Sequence, residues 1–82
     1  MKTKLRILNV LFDYGECTVA DVADISGVPP GRVFAALQEA ARGGHVVRVR
    51  RDGLMHYAIS NAGRTAVFSW RLGDRTEETD HA

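Results

Sequence analysis

The sequence is poor in several features, and each shortage excludes a class of protein. Its one cysteine, Cys17, cannot form a disulfide within the chain, which is typical of the reducing cytoplasm. No run approaches the roughly 18 apolar residues of a membrane span. The apolar residues near the basic N-terminus are interrupted by Asn9 and Asp13, which argues against a signal peptide. We therefore expect a cytoplasmic protein with no membrane contact.

Groups for catalysis or metal binding are also scarce. No Ser/His/Asp or Cys/His arrangement, phosphate-cradling glycine loop or pair of carboxylates stands out, so we expect neither an enzyme nor a cofactor. His45 and His56 lack a Cys or His neighbour at the spacing of metal ligands, and strand positions explain both, so we expect no metal site. Cys17 precedes a predicted helix and is interpreted either as a redox switch or as a buried structural residue.

Charge is distributed unevenly along the 82 residues, although the formal net charge is only +1. Residues 1–72 hold ten Lys and Arg against six Asp and Glu, whereas residues 73–82 hold one against four. A basic body suits an anionic partner. The polar end has no apolar periodicity, so we predict one domain over residues 1–72 and a disordered acidic tail over residues 73–82.

The stretch Thr18–Leu37 predicts two short helices joined by a tight turn. Thr18 and Asp21 form a capping-box pattern, and Gly27 is the residue expected to end the first helix with a positive φ. Pro30 suits the first turn of the second helix, because the N–H that it lacks would have no partner there.

The flanking segments complete a mostly α fold with a small β-hairpin. Apolar residues at helical spacing predict a helix over residues 2–14. Alternating Val and Arg, followed by the turn signal Asp52-Gly53, predict an antiparallel hairpin over about residues 46–59. Ser60 is a cap for a last helix, which we expect Gly73 to end.

The stretches DVADISGVPPGRVFAAL, RVFAALQEAARGGHVVRV and YAISNAG resemble winged helix-turn-helix regulators of the MarR, ArsR and PadR type, over about residues 5–72. The resemblance implies a three-helix core with a wing and a C-terminal helix, in a bacterial or phage regulator of transcription associated with the nucleoid. Residues 30–42 would enter the major groove of double-stranded DNA, and the basic wing would lie on its backbone. Carried over by position, the DNA contacts would be Pro30, Gly31, Arg32, Phe34, Ala35, Gln38, Arg42, Arg48, Arg50 and Arg51.

The arrangement is compatible with two functions, and the first is sequence-specific DNA binding. Among the groove-facing residues only Arg32 and Gln38 can read bases through hydrogen bonds, to guanine and adenine respectively. The alternative is a winged-helix module for protein–protein interaction, an adaptor or inhibitor, with Phe34 on its docking face. Exposure of Phe34 beside Pro30 and Ala35 would favour a protein partner, whereas a continuous positive surface from helix to wing would favour DNA.

The last helix carries more apolar surface than packing on a small core needs. We therefore predict that Val67, Phe68 and Trp70 form the interface of a homodimer, and the alternative is that they belong to the domain's own core.

Overall fold

A computed structural model describes the backbone of residues 2–81 and the side chains of residues 2–73. The elements in chain order are α1 (Thr3–Tyr14), α2 (Val19–Ser26), α3 (Pro30–Arg42), β1 (Val46–Arg51), β2 (Leu54–Ile59) and α4 (Asn61–His81). This order confirms the predicted class, in which a three-helix core carries a wing and a C-terminal helix.

Local signals set the ends of the first helices, as the sequence predicts. Thr18 and Asp21 form the reciprocal capping box, with both backbone N–H to side-chain oxygen distances at 3.1 Å. Gly15 and Gly27 follow α1 and α2 with φ of 86° and 75°, a region that is costly for residues with a Cβ. Pro30 opens α3, and the Pro29 carbonyl accepts from the N–H of Val33 at 3.0 Å.

One hydrophobic core unites the helices with the hairpin. α1 lies against α2, α3 and α4, and β2 packs on α1. The largest fully buried side chains come from five of the six elements: Ile7, Leu8, Leu11, Val22, Val33, Leu37, Tyr57 and Val67. Because Tyr57 and Val67 share this core, the wing and α4 are held in fixed positions relative to α3.

The hairpin pairs from Val46 opposite Ile59 to Arg51 opposite Leu54. Asp52 and Gly53 both have positive φ, 50° and 79°, as in the mirror-image turns that match the twist of two-residue hairpins. An isolated antiparallel β-bridge, which the sequence did not reveal, joins Cys17 to Tyr57 of β2. The Cys17 N–H donates to the Tyr57 carbonyl at 2.9 Å, and the Tyr57 N–H donates back at 2.7 Å. The wing is thereby tied to the connection between α1 and α2.

The last helix begins where it was predicted and ends later. The Ser60 hydroxyl accepts from the N–H of Gly63 at 3.0 Å and donates to the Gly44 carbonyl at 2.6 Å. The prediction that Gly73 ends the helix is wrong, because α4 continues to His81 through a segment predicted to be disordered. Gly73 is not among the glycines with positive φ, and a glycine inside a helix costs only about 1 kcal/mol.

The side chains of residues 74–82 lie outside the described part of the chain, and the domain boundary after residue 72 stays a prediction. Within the described residues, no helix is long and apolar enough to cross a membrane.

Candidate nucleic-acid interface

One face of α3 is open to solvent. The helix buries Val33, Ala36, Leu37 and Ala40, so its opposite face points outward. On or beside that face lie five of the residues predicted to meet DNA, all of them exposed: Pro30, Gly31, Arg32, Phe34 and Ala35. Phe34 is 52% exposed, which is unusual for an aromatic side chain that contributes to a core.

Arg32 shares an open groove with the start of α1. The groove is also lined by Thr3 and Lys4 of α1 and by Ala35 and Glu39 of α3. Lys4 therefore adds a second cation near the exposed face of α3. The sequence placed basic residues early in α1, but it did not show that one of them lies beside Arg32. At the other end of α3, Arg42 is exposed in the last turn.

Gln38 is engaged within the protein. Its Nε2 donates to the Tyr57 hydroxyl at 3.0 Å, and its Oε1 accepts from Nη2 of Arg48 at 2.6 Å. Since Arg48 belongs to β1 and Tyr57 to β2, this one amide joins α3 to both strands of the wing. A contact with adenine uses the same oxygen and nitrogen together, so the predicted adenine contact would have to form on the one remaining donor and the one remaining lone pair, or replace the internal hydrogen bonds.

The wing arginines divide between the two faces of the hairpin. Successive side chains of a strand point to opposite faces, so Arg48 and Arg50 share one face and Arg51 takes the other. The hydrogen bond to Gln38 shows that the face of Arg48 is the one turned toward α3. Arg50 is exposed and has no hydrogen bond or ion pair with any described residue, so its guanidinium is available to a ligand.

Arg51 is bound by an acidic residue from the connection between α1 and α2. Its Nε and Nη2 donate to the two carboxylate oxygens of Glu16, at 2.5 and 3.1 Å. His56 Nδ1 lies 3.4 Å from the same carboxylate. We call this cluster of Glu16, Arg51 and His56 the Glu16 clasp. The hydrogen bonds from Arg51, aided by the charges of Arg51 and His56, hold the pKa of the Glu16 carboxyl below its ordinary value, against an opposing effect of desolvation.

Cys17 is a buried structural residue. It is 4% exposed, and burial raises the pKa of its thiol, with the charges of Asp21 and Glu16 acting in the same direction. A thiol that resists ionisation is a poor nucleophile, which opposes the redox-switch interpretation. No group of His, Cys, Asp and Glu suited to hold a metal is found in the described part of the chain.

The three residues predicted to form the dimer interface differ in their exposure to solvent. Val67 is fully buried within the single chain, so the prediction that it contacts a second chain is wrong. Successive residues of a helix are rotated by about 100°, which turns the neighbouring Phe68 outward, and Phe68 is 59% exposed. Phe68 lines a groove with Phe12, Arg64 and Thr65, and Trp70 is half-buried.

A helix-turn-helix whose second helix exposes one face beside a basic β-hairpin defines the winged-helix class of domains. The chain belongs to the family described as winged helix-turn-helix DNA-binding, whose sequence model matches residues 2–44. That match covers α1, α2 and α3. No curated protein sequence matches the chain.

Solved structures with the same fold include regulators of the MarR family. A MarR family protein from Bacillus stearothermophilus superimposes with a TM-score of 0.84 at 15% identity, over 98% of this chain and 57% of that one. Bordetella bronchiseptica BpsR, studied for regulation of its DNA binding by 6-hydroxynicotinic acid, gives 0.85 at 14% identity, over 96% and 59%. The AntR antimony-specific transcriptional repressor gives 0.71 at 27% identity, over 95% and 69%. The chain thus spans somewhat more than half the length of the first two proteins.

Proposed function

We propose that this chain acts in the regulation of transcription by binding double-stranded DNA, with α3 in the major groove and the hairpin on the backbone. The observation that carries the proposal is the placement of exposed cations on one side of the family's DNA-binding fold. Arg32 stands on the open face of α3, and Arg50 stands unpaired on the wing face turned toward α3. Cations in these two places can reach the groove and the phosphates flanking it.

Each arginine has a different part in this proposal. Arg32 reads guanine, because a guanidinium matches the two acceptors of that base in the major groove. Arg50 and Arg42 bind phosphates. Arg48 donates to Gln38 through Nη2 alone, so Nε and Nη1 remain for a phosphate. Pro30, Gly31 and Ala35 lack polar side-chain groups and let the helix approach the bases closely, so base readout rests mainly on Arg32.

We also propose that the protein binds DNA as a homodimer through α4. The exposed ring of Phe68 and the half-buried Trp70 support this proposal, since an exposed aromatic residue beside an apolar groove is typical of an interface.

Fluorescence anisotropy with a random-sequence duplex, across a series of salt concentrations, tests DNA binding directly. We expect micromolar affinity that falls steeply with salt, because binding to phosphates releases counterions. Arg50→Ala should lower the slope of log K against log salt by about one. Arg32→Ala should relax base preference, and an equal loss on every sequence would make Arg32 a phosphate contact.

Arg64→Ala is the control for loss of the same charge outside α3 and the wing; because Arg64 lines the groove beside Phe68, the comparison is made at a protein concentration at which sedimentation shows the variant to be as dimeric as the wild type. The variant should leave the salt slope close to that of the wild type. Absence of binding even at low salt would refute the DNA-binding proposal.

A second candidate function is docking of a protein partner on α3. The exposure of Phe34 beside exposed Pro30 and Ala35 is the observation that favours it. Phe34→Ala distinguishes the two candidates. The substitution leaves DNA affinity unchanged if the ring serves a protein partner, and it weakens affinity for sites with a thymine under the helix if the ring packs on the thymine methyl group.

A further inference from the structure

We propose that Arg51 is a positioning residue rather than a phosphate contact, and that the Glu16 clasp fixes the outer end of the wing so that Arg48 and Arg50 stay directed toward DNA. This inference rests on the proposed DNA-binding function. The inference assigns different roles to Arg50 and Arg51, which the sequence alone does not distinguish. It also assigns a role in DNA binding to Glu16, which lies outside both α3 and the wing.

The first step of the argument is the direction of the side chains. Arg51 points to the face of the hairpin opposite to Arg48, because strand residues alternate. Arg48 reaches α3 through Gln38, whereas Arg51 reaches Glu16 before α2. The two arginines are therefore held on opposite sides of the wing by residues from different parts of the chain.

The second step is the geometry of the pair. Arg51 donates through two nitrogens to two oxygens of one carboxylate, the bidentate arrangement that also suits guanidinium binding to phosphate. This pairing uses two of the five N–H donors of Arg51 and places the carboxylate charge of Glu16 against its guanidinium, which disfavours a further contact with a phosphate. His56 lies against the same carboxylate from β2, so both strands of the hairpin contact Glu16.

The third step is that the Glu16 clasp anchors the outer end of the hairpin to the helical body. A two-stranded hairpin is marginally stable alone, and this one is anchored in the core by the buried Val46, Tyr57 and Ile59, with Met55 packed against the core opposite Arg50. Its outer end beyond Tyr57 carries Arg50 and the Asp52-Gly53 turn, and both turn residues are exposed. The clasp is the only ion pair between this end and the helical body among the described residues, and it lies next to the backbone pairing of Cys17 with Tyr57.

Three variants test the inference by salt-dependent DNA binding. Arg50→Ala should lower the salt slope by about one, as expected for a lost phosphate contact. Arg51→Ala should keep the wild-type slope and weaken binding to all sequences by a few-fold, because the outer end of the wing loses one of its anchors to the helical body. Glu16→Gln should also keep the slope. The inference is overturned if Arg51→Ala lowers the slope as Arg50→Ala does, or if Glu16→Gln steepens it by about one because a released Arg51 then binds phosphate.

Amide hydrogen exchange of the free protein provides a readout that does not depend on DNA. Arg51→Ala and Glu16→Gln should both speed exchange in residues 50–55, while Arg50→Ala should leave that exchange as in the wild type. Unchanged exchange in the two clasp variants would refute the positioning role. If the wild-type protein fails to bind DNA while the clasp variants alter exchange as expected, the proposed function fails and the anchoring role of the clasp stands.

Discussion

At the scale of single residues, the motif YAISNAG lies at the junction of the wing and the last helix, and three of its positions are constrained by their surroundings. The Tyr57 hydroxyl accepts from Gln38, and the Ser60 hydroxyl bonds to Gly44 and Gly63. Gly63 is needed for space, because a Cβ built on it would lie 2.1 Å from the carbonyl oxygen of His45. The resemblance to known regulators included this glycine, and the structure supplies its physical reason.

Gly63→Ala should therefore destabilise the fold. Either α4 or the backbone at His45 must move, and forced overpacking of this kind typically costs about 1–3 kcal/mol or more. Gly73→Ala is the matched control, because it lies in the same helix and its Cβ would meet nothing within 4 Å. It should raise stability by up to about 1 kcal/mol through helix propensity. Urea unfolding of both variants measures the difference, and equal stabilities would contradict the close approach.

At the scale of elements, the sequence predicts the positions of those helices and strands whose ends are set by residues close together in the chain. The capping box, the glycines with positive φ and the Asp52-Gly53 turn each act within a few residues, so α1 to α3 and the hairpin lie where the pattern indicates. Gly73 misled the prediction because it does not adopt the positive φ that Gly15 and Gly27 show after α1 and α2.

The contacts of Gln38 and Arg51 could not be predicted in the same way. Their partners lie 19 and 35 residues away in the sequence, and only the assembled fold brings them together. The residues predicted to meet DNA at the start of α3 are exposed, whereas the sequence did not show that the side chains of Gln38 and Arg51 are hydrogen-bonded within the protein.

The Glu16 clasp makes the anchoring of the wing dependent on pH. Because the pKa of Glu16 in the folded protein is below its ordinary value of 4.5, the ionised carboxylate stabilises the fold above that value. This contribution is lost as pH falls through the lowered pKa. Wild type should therefore be slightly more stable than Glu16→Gln at pH 7, and the two should converge in acid. The gain is small because Arg51 is well exposed.

Urea unfolding of both proteins from pH 7 to about pH 3 measures this convergence. Arg71 and Asp13 form a separate ion pair between α4 and α1, so Asp13→Asn serves as a control at a site away from the wing. A difference between wild type and Glu16→Gln that persists unchanged at the lowest pH would contradict the assignment.

At the scale of the whole molecule, α4 packs on α1 with one side and exposes Phe68 on another. A small domain buries a limited core, so the proposed apolar contact with a second copy would add stability that the single chain lacks. Two copies would also present two α3 helices to successive major grooves, which is how dimeric regulators read paired half-sites.

Phe68→Asp should shift the protein from dimer to monomer without unfolding it, because the ring is 59% exposed and contributes little to the core. Sedimentation equilibrium across a range of protein concentrations measures the shift. Val67→Ala is the contrasting variant, since it should destabilise the fold by about 2 kcal/mol through loss of buried volume while leaving the exposed face of α4 intact. A wild-type protein that stays monomeric at high concentration would refute the dimer.

The two hydrogen bonds of Gln38 have a consequence for how such a domain can change its target in evolution. A residue in the middle of a recognition helix is an obvious place to alter base preference, yet here a change at Gln38 would release Tyr57 and Arg48 together. Substitutions at these three positions are therefore expected to be inherited as a set. If α3 reads DNA as proposed, Arg32 and Ala35, whose side chains form no hydrogen bond with the described residues of the wing, are the positions where a single substitution would change base preference.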